Sequence, residues 1–387
     1  MKILQAFDFL SLPHGGGTVD IVYKLSKALV QRGHEVTICT GDYELDYKYL
    51  SGLKDVGLKI YHSYINKHGV YLMPGLSELE IQDYDLIHMH CYRSIQNVML
   101  VQKANLHGVP YIIDAHGSTV VHTGCKKLLL DMFDLWFGTS IVDRAKFVIA
   151  ETETGINEWK RLGVDNSKIR LQHPLLDTGE FAVLPDKGTF RKKYRIGDEF
   201  MVLFLGRLHP AKGIDILIDA IQILQEQDIH CKLVIAGHDD GAMESLVNRI
   251  EMYPVDWKPD VLFTGFISGA EKMSALVDAD VLVQPSRNEA GARPSLEAIM
   301  AGTPVVVSRD TGAGQEIAKM DGGLLFENGD ASSLAHAIRC TMDDLEATRV
   351  RTGKAREYIG MNLSLDRQVE QYEKLYREAV LQQNGYM

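Results

Sequence analysis

The chain has 387 residues, 45% hydrophobic and 24% charged, with a formal net charge of -11 at pH 7. That length exceeds one ordinary domain and suits two with cores of their own, and the acidic balance excludes nucleic acid as the main partner, because a polyanion binder presents a basic field. Cys39, Cys91, Cys125, Cys231 and Cys340 are odd in number and form no C-x-x-C, which excludes a disulfide scaffold or a cysteine zinc site and points to a reducing, cytoplasmic setting.

The first run, MKILQAF, reads as a strand and not as a signal peptide, and no 18-residue apolar span follows anywhere, so neither export nor a membrane-spanning helix is expected. Next come SLPHGGGTVD, with Gly15 to Gly17 behind His14, and the helical period of VDIVYKLSKALVQRG. The strand-like runs EVTICT, DLIHMH, PYIIDAH, KFVIAET and KIRLQH then alternate with helical stretches such as SIQNVMLVQKANLHG. That rhythm is the mark of β-α-β units around a parallel sheet. Near residue 175 it breaks into PLLDTGEFAVLPDKGTFRKKYRIGDEF, which reads as an interdomain connection. It restarts with FMVLFLG, CKLVIAG, DVLFTG, DVLVQPS and TPVVVS and closes on helical segments at 331 to 345, 346 to 359 and 364 to 387, the last with Val369, Tyr372, Leu375, Tyr376 and Ala379 at helical spacing. The expectation is an α/β protein of two doubly wound domains, 1 to 178 and 179 to 363. Two such halves face a cleft, with ligands at the carboxyl ends of the strands.

The chemistry-bearing residues fall just after strands. In VLVQPSRNEAGARPSLEAIMAGTPVVVS the strand ends at Pro285, Glu289 lies on the loop, Pro294 is placed as the first helical residue, and Glu297 lies in the first turn. Such a helix directs its N-terminal amides toward a bound anion. In FLGRLHPAKGIDILIDA, Arg207 and Lys212 flank a turn before a helix and suit a diphosphate. His116 ends the strand of YIIDAHG. His88 and His90 in DLIHMH share one strand face, but no third ligand accompanies them, so they read as structural or acceptor-side residues and no metal site is expected. Trp136 and Phe137 in KKLLLDMFDLWF fit a core helix as well as a peripheral membrane contact.

The order of glycine-rich turn, strand-ending His116, Gly206-Arg207 to Lys212-Gly213, and the pair Glu289 and Glu297 spaced as E-x7-E before G-T-P-V-V resembles the family-4 retaining glycosyltransferases across essentially the whole chain. The resemblance implies the GT-B fold, with two Rossmann-like domains and a final helix, 364 to 387, that crosses back to the N-terminal domain. It implies that Arg207 and Lys212 bind the donor diphosphate and that Glu297 binds the ribose hydroxyls. Glu289 would bind the transferred sugar beside Ala290, Gly291 and Ala292, with His116 near the reaction centre. Gly16 and Gly17 would approach the phosphates with their backbone, and Phe266 and Ile267 would line the base pocket. Two departures matter: the family's E-G-F-G is Glu289-Ala290-Gly291-Ala292 here, and its P-N-G-V-D is His173-Pro174-Leu175-Leu176-Asp177. Sugar choice therefore does not carry over from a typical member.

The expected reaction moves a hexose-type sugar from a UDP or GDP sugar, as co-substrate, to a saccharide or lipid-linked acceptor. Front-face displacement with retention is favoured over a covalent glycosyl-enzyme because no obvious carboxylate stands ready for the opposite face of the sugar, and no divalent metal is required, because two cations neutralise the diphosphate and no D-x-D pair ends a strand. A sugar-nucleotide epimerase or phosphorylase on the same architecture is the alternative. A serine hydrolase using His14 to Gly17 as its oxyanion loop needs a G-x-S-x-G elbow, and a dinucleotide oxidoreductase needs G-x-G-x-x-G after a strand; the sequence has neither.

Overall fold

The computed structural model describes residues 1–65, 71–119, 124–383 and 385. The chain divides into two compact units, Met1–Leu175 with Leu365–Met387, and Leu176–Ser364.

The first unit contains β1 (Lys2–Phe9), β2 (Glu35–Gly41), β3 (Gly57–Tyr61), β4 (Tyr64–Ile65), β5 (Tyr71–Leu72), β6 (Leu86–His90), β7 (Tyr111–Asp114), β8 (Phe147–Ala150) and β9 (Ile169–Leu171). Seven of them form one sheet in the order β3-β2-β1-β6-β7-β8-β9, and β4 pairs with β5 as a separate antiparallel ribbon. Every pair in the large sheet is parallel. All residues of β6 and β7 are buried, as covering on both faces requires. The helix Ile95–His107 shows how local sequence sets the boundaries: Ser94 Oγ accepts the Asn97 N–H at its start, and Gly108 ends it at a φ of 69°.

The C-terminal helix Leu365–Gln383 buries Val369, Tyr372, Leu375, Tyr376 and Ala379 in the same core as Ile3, Leu25 and Leu86. Polar groups fix its register as well. The Tyr372 hydroxyl donates to Asp114 Oδ2 at 2.7 Å, Tyr376 Oη lies 2.7 Å from His88 Nδ1, and Glu373 holds Arg32 at 3.1 Å and His34 at 2.7 Å.

The second unit contains β10 (Phe200–Leu205), β11 (Cys231–Ala236), β12 (Asp260–Gly265), β13 (Val281–Gln284), β14 (Val305–Ser308) and β15 (Leu324–Phe326), in the sheet order β12-β11-β10-β13-β14-β15. Its pairs are likewise parallel. In each sheet the order reverses beside the unit's first strand, at β1/β6 and at β10/β13, which is where such sheets bind ligands.

One reading from the sequence needs correction. The turn-rich stretch after residue 175 is not a free connection: Phe181, Phe190 and Ile196 are buried in the second unit's core. The Asp278 carboxylate fastens it by accepting the Phe190 and Arg191 N–H groups at 2.7 and 3.0 Å. The division accordingly falls at Leu175/Leu176, because Leu176 belongs to that core and bridges to Ser364. The segment KKLLLDMFDLWF forms the helix Gly124–Phe133 and a π turn, Asp134–Gly138. Its sequence fits either a core helix or a peripheral contact, and the segment has one face of each kind: Leu128, Leu129, Leu135 and Trp136 are exposed by 55 to 78%. Phe133 and Phe137 form its inner face, packed against the sheet core.

Candidate active site

The loops after β10 and β13 are built as one piece. Gly213 follows the short 3-10 turn Pro210–Lys212 at a φ of +64°, and a Cβ there would lie 2.0 Å from the Pro285 carbonyl oxygen, so only glycine lets the two loops meet. The Arg287 N–H donates to the Ala211 carbonyl at 2.9 Å, and the Arg287 guanidinium grips Asp215 at 2.8 and 2.6 Å. Within the β13 loop, Gln284 Nε2 donates to the Gly291 carbonyl at 3.2 Å and Ser295 Oγ donates to Gln284 Oε1 at 2.6 Å.

This frame pairs Lys212 with Glu289 through a direct ion pair, and Ser286 Oγ donates to the same carboxylate oxygen at 2.9 Å. Both side chains are partly buried, 22% and 17% exposed. Arg207, on the same loop as Lys212, is more open and holds Asp240 at 2.6 Å. Ala290 and Gly291 lie on the intervening turn, and Ala292, 1% exposed, is the N-cap of the helix Arg293–Ala301. That helix starts one residue before Pro294, which takes its second position. The N-cap Ala292 offers no capping side chain, so the first amides are left without that acceptor.

Glu297 is separate from the Lys212–Glu289 pair. It is 5% exposed and anchored by Lys272 at 2.9 Å and Arg293 at 3.3 Å. Phe266 is 42% exposed after β12, whereas Ile267 is 5% exposed and part of the core, so of these two only Phe266 presents its side chain. Lys272, Arg293 and Ser286 are the partners that sequence reading missed. Arg293 stands four residues before Glu297, a spacing that signals a helical ion pair; Lys272 comes from another element and gave no such signal.

In the first unit the glycine run is not a loop. The helix Leu12–Gln31 absorbs it, with a break at Gly16, whose φ of 49° and ψ of -120° only glycine adopts readily. Gly15 is needed for a different reason, since a Cβ would lie 2.3 Å from Val19 Cγ2. Gly17 is exposed. His14 does not face an oxyanion position; its Nδ1 lies 2.9 Å from Glu44 Oε2 and 3.1 Å from Ser11 Oγ.

His116 follows β7 by two residues and is in the left-handed region, at a φ of 44°, a conformation that persists only where its surroundings impose it. Its side chain is 2% exposed, with Nε2 2.8 Å from His90 Nδ1 and Nδ1 2.8 Å from Glu151 Oε1. His90 in turn lies 2.6 Å from Gln5 Oε1. Burial holds His88 and His90 well below the usual imidazole range, so both are neutral. Asp114, His116 and Glu151 place ligand atoms within 4.8 Å of one another, a spread that a metal ion could bridge.

Burial raises Asp8, at the carboxyl end of β1, to about 6, against a smaller opposing effect of the Ser94 hydroxyl at 2.6 Å. Between about 4 and 6 the folded state keeps a proton that the unfolded chain has released, so this group's contribution to stability falls as pH rises through that window. Asp8→Asn should therefore raise the thermal midpoint at pH 7.5, by an amount equivalent to about 2 kcal/mol after allowance for Asp8's partial exposure, and the gain should vanish near pH 4. Equal gains at both pH values in thermal melts would contradict this assignment.

Two all-parallel sheets, each with a switch point beside its first strand, are the sheets of the GT-B fold. The sequence comparisons agree: residues 186–358 match the family described as Glycosyl transferases group 1 and residues 15–180 match Glycosyltransferase Family 4. The chain belongs to the family-4 glycosyltransferases. It is 29% identical to a D-inositol 3-phosphate glycosyltransferase of Pseudarthrobacter chlorophenolicus, over 79% of this chain and 73% of that one. It is 27% identical to a GDP-mannose-dependent alpha-(1-6)-phosphatidylinositol dimannoside mannosyltransferase of Mycobacterium tuberculosis, over 93% and 92%. The crystal structure of Anabaena HepE in complex with UDP and glucose superposes with a TM-score of 0.81 at 19% identity, covering 98% of this chain and all of that one.

Proposed function

We propose that the enzyme transfers a hexose-type sugar from a nucleoside diphosphate sugar to a saccharide or lipid-linked acceptor with retention of anomeric configuration, by front-face displacement and without a divalent metal. The observation that carries this reading is the joined pair of loops in the second unit, which presents Arg207 and Lys212 beside the uncapped helix at Arg293. Breaking the anomeric C–O bond builds negative charge on the departing diphosphate, and fixed cations and helix amides stabilise that charge without reorganising. Glu289, now paired with Lys212, is assigned to hydroxyls of the transferred sugar, with Ala290, Gly291 and Ala292 forming the turn beside it. Glu297 is assigned to the ribose hydroxyls and Phe266 to the base, with the buried Ile267 behind it in the core. On the first unit, Gly16 and Gly17 are assigned to the phosphates and His116 to the neighbourhood of the transferred sugar. Because His90 and Glu151 engage both ring nitrogens of His116, that role falls to its strained backbone and to the dipole of the held ring.

A UDP donor is supported by the HepE complex and a GDP donor by the mycobacterial relative. The free thiols of Cys39, Cys91, Cys231 and Cys340 support a reducing, cytoplasmic setting. The epimerase or phosphorylase alternative is not favoured, since both named relatives are transferases. The test is a thermal-shift comparison of UDP, GDP and their sugars, followed by mass spectrometry of donor turnover. A nucleoside diphosphate should raise the midpoint, and donor hydrolysis should release a sugar with retained configuration; if no nucleotide stabilises the protein, the reading fails.

A second observation favours a lipid-associated acceptor. Among the described residues no helix is long and apolar enough to cross a membrane, yet Leu128, Leu129, Leu135 and Trp136 are exposed along one short segment beside Lys127. Such a face suits shallow insertion between headgroups. Vesicles containing phosphatidylglycerol should carry the protein in flotation, and Leu135→Ser with Trp136→Ser should cut the floated fraction severalfold. Undiminished flotation of the double variant would remove this face from the reading.

A further inference from the structure

The carboxyl ends of β1 and β2 carry an aromatic cluster that the donor chemistry does not use. Phe9 lies 5.1 Å from Tyr71 and 6.1 Å from Tyr43, centroid to centroid, and Tyr43 lies 5.5 Å from Tyr71 and 5.7 Å from His14. All four rings are partly exposed, unlike the fully buried rings of the sheet core. Burial raises both phenols, Tyr71 to about 12, so they are uncharged at neutral pH.

Three carboxylates flank these rings in the chain. Asp8 precedes Phe9, Glu44 follows Tyr43 and is held by His14 at 2.9 Å, and Asp42 is held by His62 at 2.7 Å and by the Ser63 N–H and hydroxyl at 2.8 and 2.9 Å. The hydrogen bonds from His62 and Ser63 keep Asp42 low, at about 2, and therefore ionised. Glu44 adopts a φ of 41°, so the turn that sets it beside Tyr43 is itself strained. Among the described residues no lysine or arginine pairs with Asp8, Asp42 or Glu44. Lys24 is paired with Asp20 at 2.9 Å and Arg93 with Asp134 at 2.7 Å.

We infer that this cluster is the acceptor platform of the first unit and that it selects an uncharged saccharide, whose apolar C–H face stacks on Tyr43 and Tyr71 while its hydroxyls donate to Asp42, Glu44 and Asp8. The inference rests on the transferase reading and deepens it. Aromatic faces attract the weakly positive C–H edge of a sugar ring, and ionised carboxylates accept its hydroxyl protons. The same carboxylates repel a phosphate, and their lack of lysine or arginine partners among the described residues leaves that repulsion in place, so a phosphorylated acceptor is rejected by charge. His14 braces the platform by binding Glu44 and standing edge-on to Tyr43.

The test measures binding of phenyl glycosides of glucose, galactose, mannose and N-acetylglucosamine, by saturation-transfer NMR and by new disaccharide product in the presence of the donor, with glucose 6-phosphate as the anionic probe. At least one neutral glycoside should bind in the millimolar range and glucose 6-phosphate should not. Tyr43→Ala and Tyr71→Ala should weaken the neutral probe about tenfold or more, while Tyr43→Phe, which keeps the ring, should restore it. Variants that keep the nucleotide-induced thermal shift are folded and can be compared. Failure of every neutral glycoside, preference for glucose 6-phosphate, or an unaltered affinity in Tyr43→Ala and Tyr71→Ala would overturn the inference. If the wild type shows no thermal shift with any nucleoside diphosphate, the transferase reading itself fails, and the two failures are told apart.

Discussion

Lys212→Ala should lower the rate of donor hydrolysis and of transfer by about 10^2 to 10^3, the usual loss when one preorganised charge is removed from a developing oxyanion. The fold should scarcely change. Lys212 and Glu289 are both partly exposed, and such pairs contribute no more than about 1 kcal/mol to stability. The Ser286 hydroxyl would still hold Glu289 after the lysine is gone. Lys212→Arg should not restore full activity: the short turn ahead of Gly213 places a single ammonium against one carboxylate oxygen, and a planar fork fits a different geometry. Initial rates with a labelled donor, beside melting curves, would settle the matter. A Lys212→Ala enzyme within threefold of wild type would remove this residue from the leaving-group machinery.

Glu297→Ala should produce a different phenotype, losing nucleotide binding and stability together. Glu297 is buried and is the shared counter-ion of Lys272 and Arg293, whose side chains are 25% and 14% exposed. Removing it takes away the carboxylate that the two cations share, a loss of about 2 to 3 kcal/mol once their partial exposure is considered. The thermal midpoint should fall by about 5 to 10 °C, and the shift induced by a nucleoside diphosphate should disappear. Glu297→Gln distinguishes the two roles. The amide keeps the side chain's shape and one acceptor, so much of the midpoint should return while nucleotide affinity stays at least about tenfold weaker, because a neutral oxygen accepts the ribose hydroxyls less strongly. Wild-type nucleotide affinity in Glu297→Gln would show that its charge serves only the ion cluster.

The repeating α/β pattern was legible because parallel strands covered on both faces read as short apolar runs, as in the wholly buried YIID and VVVS. The loops bearing Arg207, Lys212 and Glu289 were legible for the same reason, since ligands meet such sheets just beyond the strands. What stayed hidden was settled by distant packing. Nothing near Glu297 in the sequence indicates Lys272, and nothing near His116 indicates that His90 and Glu151 would turn its ring inward. The stretch after residue 175 resembles a linker because its few apolar residues lack a period, yet Phe181 and Phe190 each find the same core singly. The glycine run misleads in another way: its flexible composition suggests a loop, whereas only Gly16 departs from helical geometry.

The C-terminal helix has a consequence for how the polypeptide is made. Residues 176–364 are inserted into the sequence of the first unit, whose core beside Ile3 and Leu86 lacks Val369, Tyr372 and Tyr376 until the helix Leu365–Gln383 is synthesised. On the ribosome the second unit can complete its core first, while the earlier segment waits with Asp114 and His88 lacking their tyrosine partners. A nascent chain stopped short of residue 365 therefore carries one finished domain and one unfinished one, so translation order runs opposite to folding order.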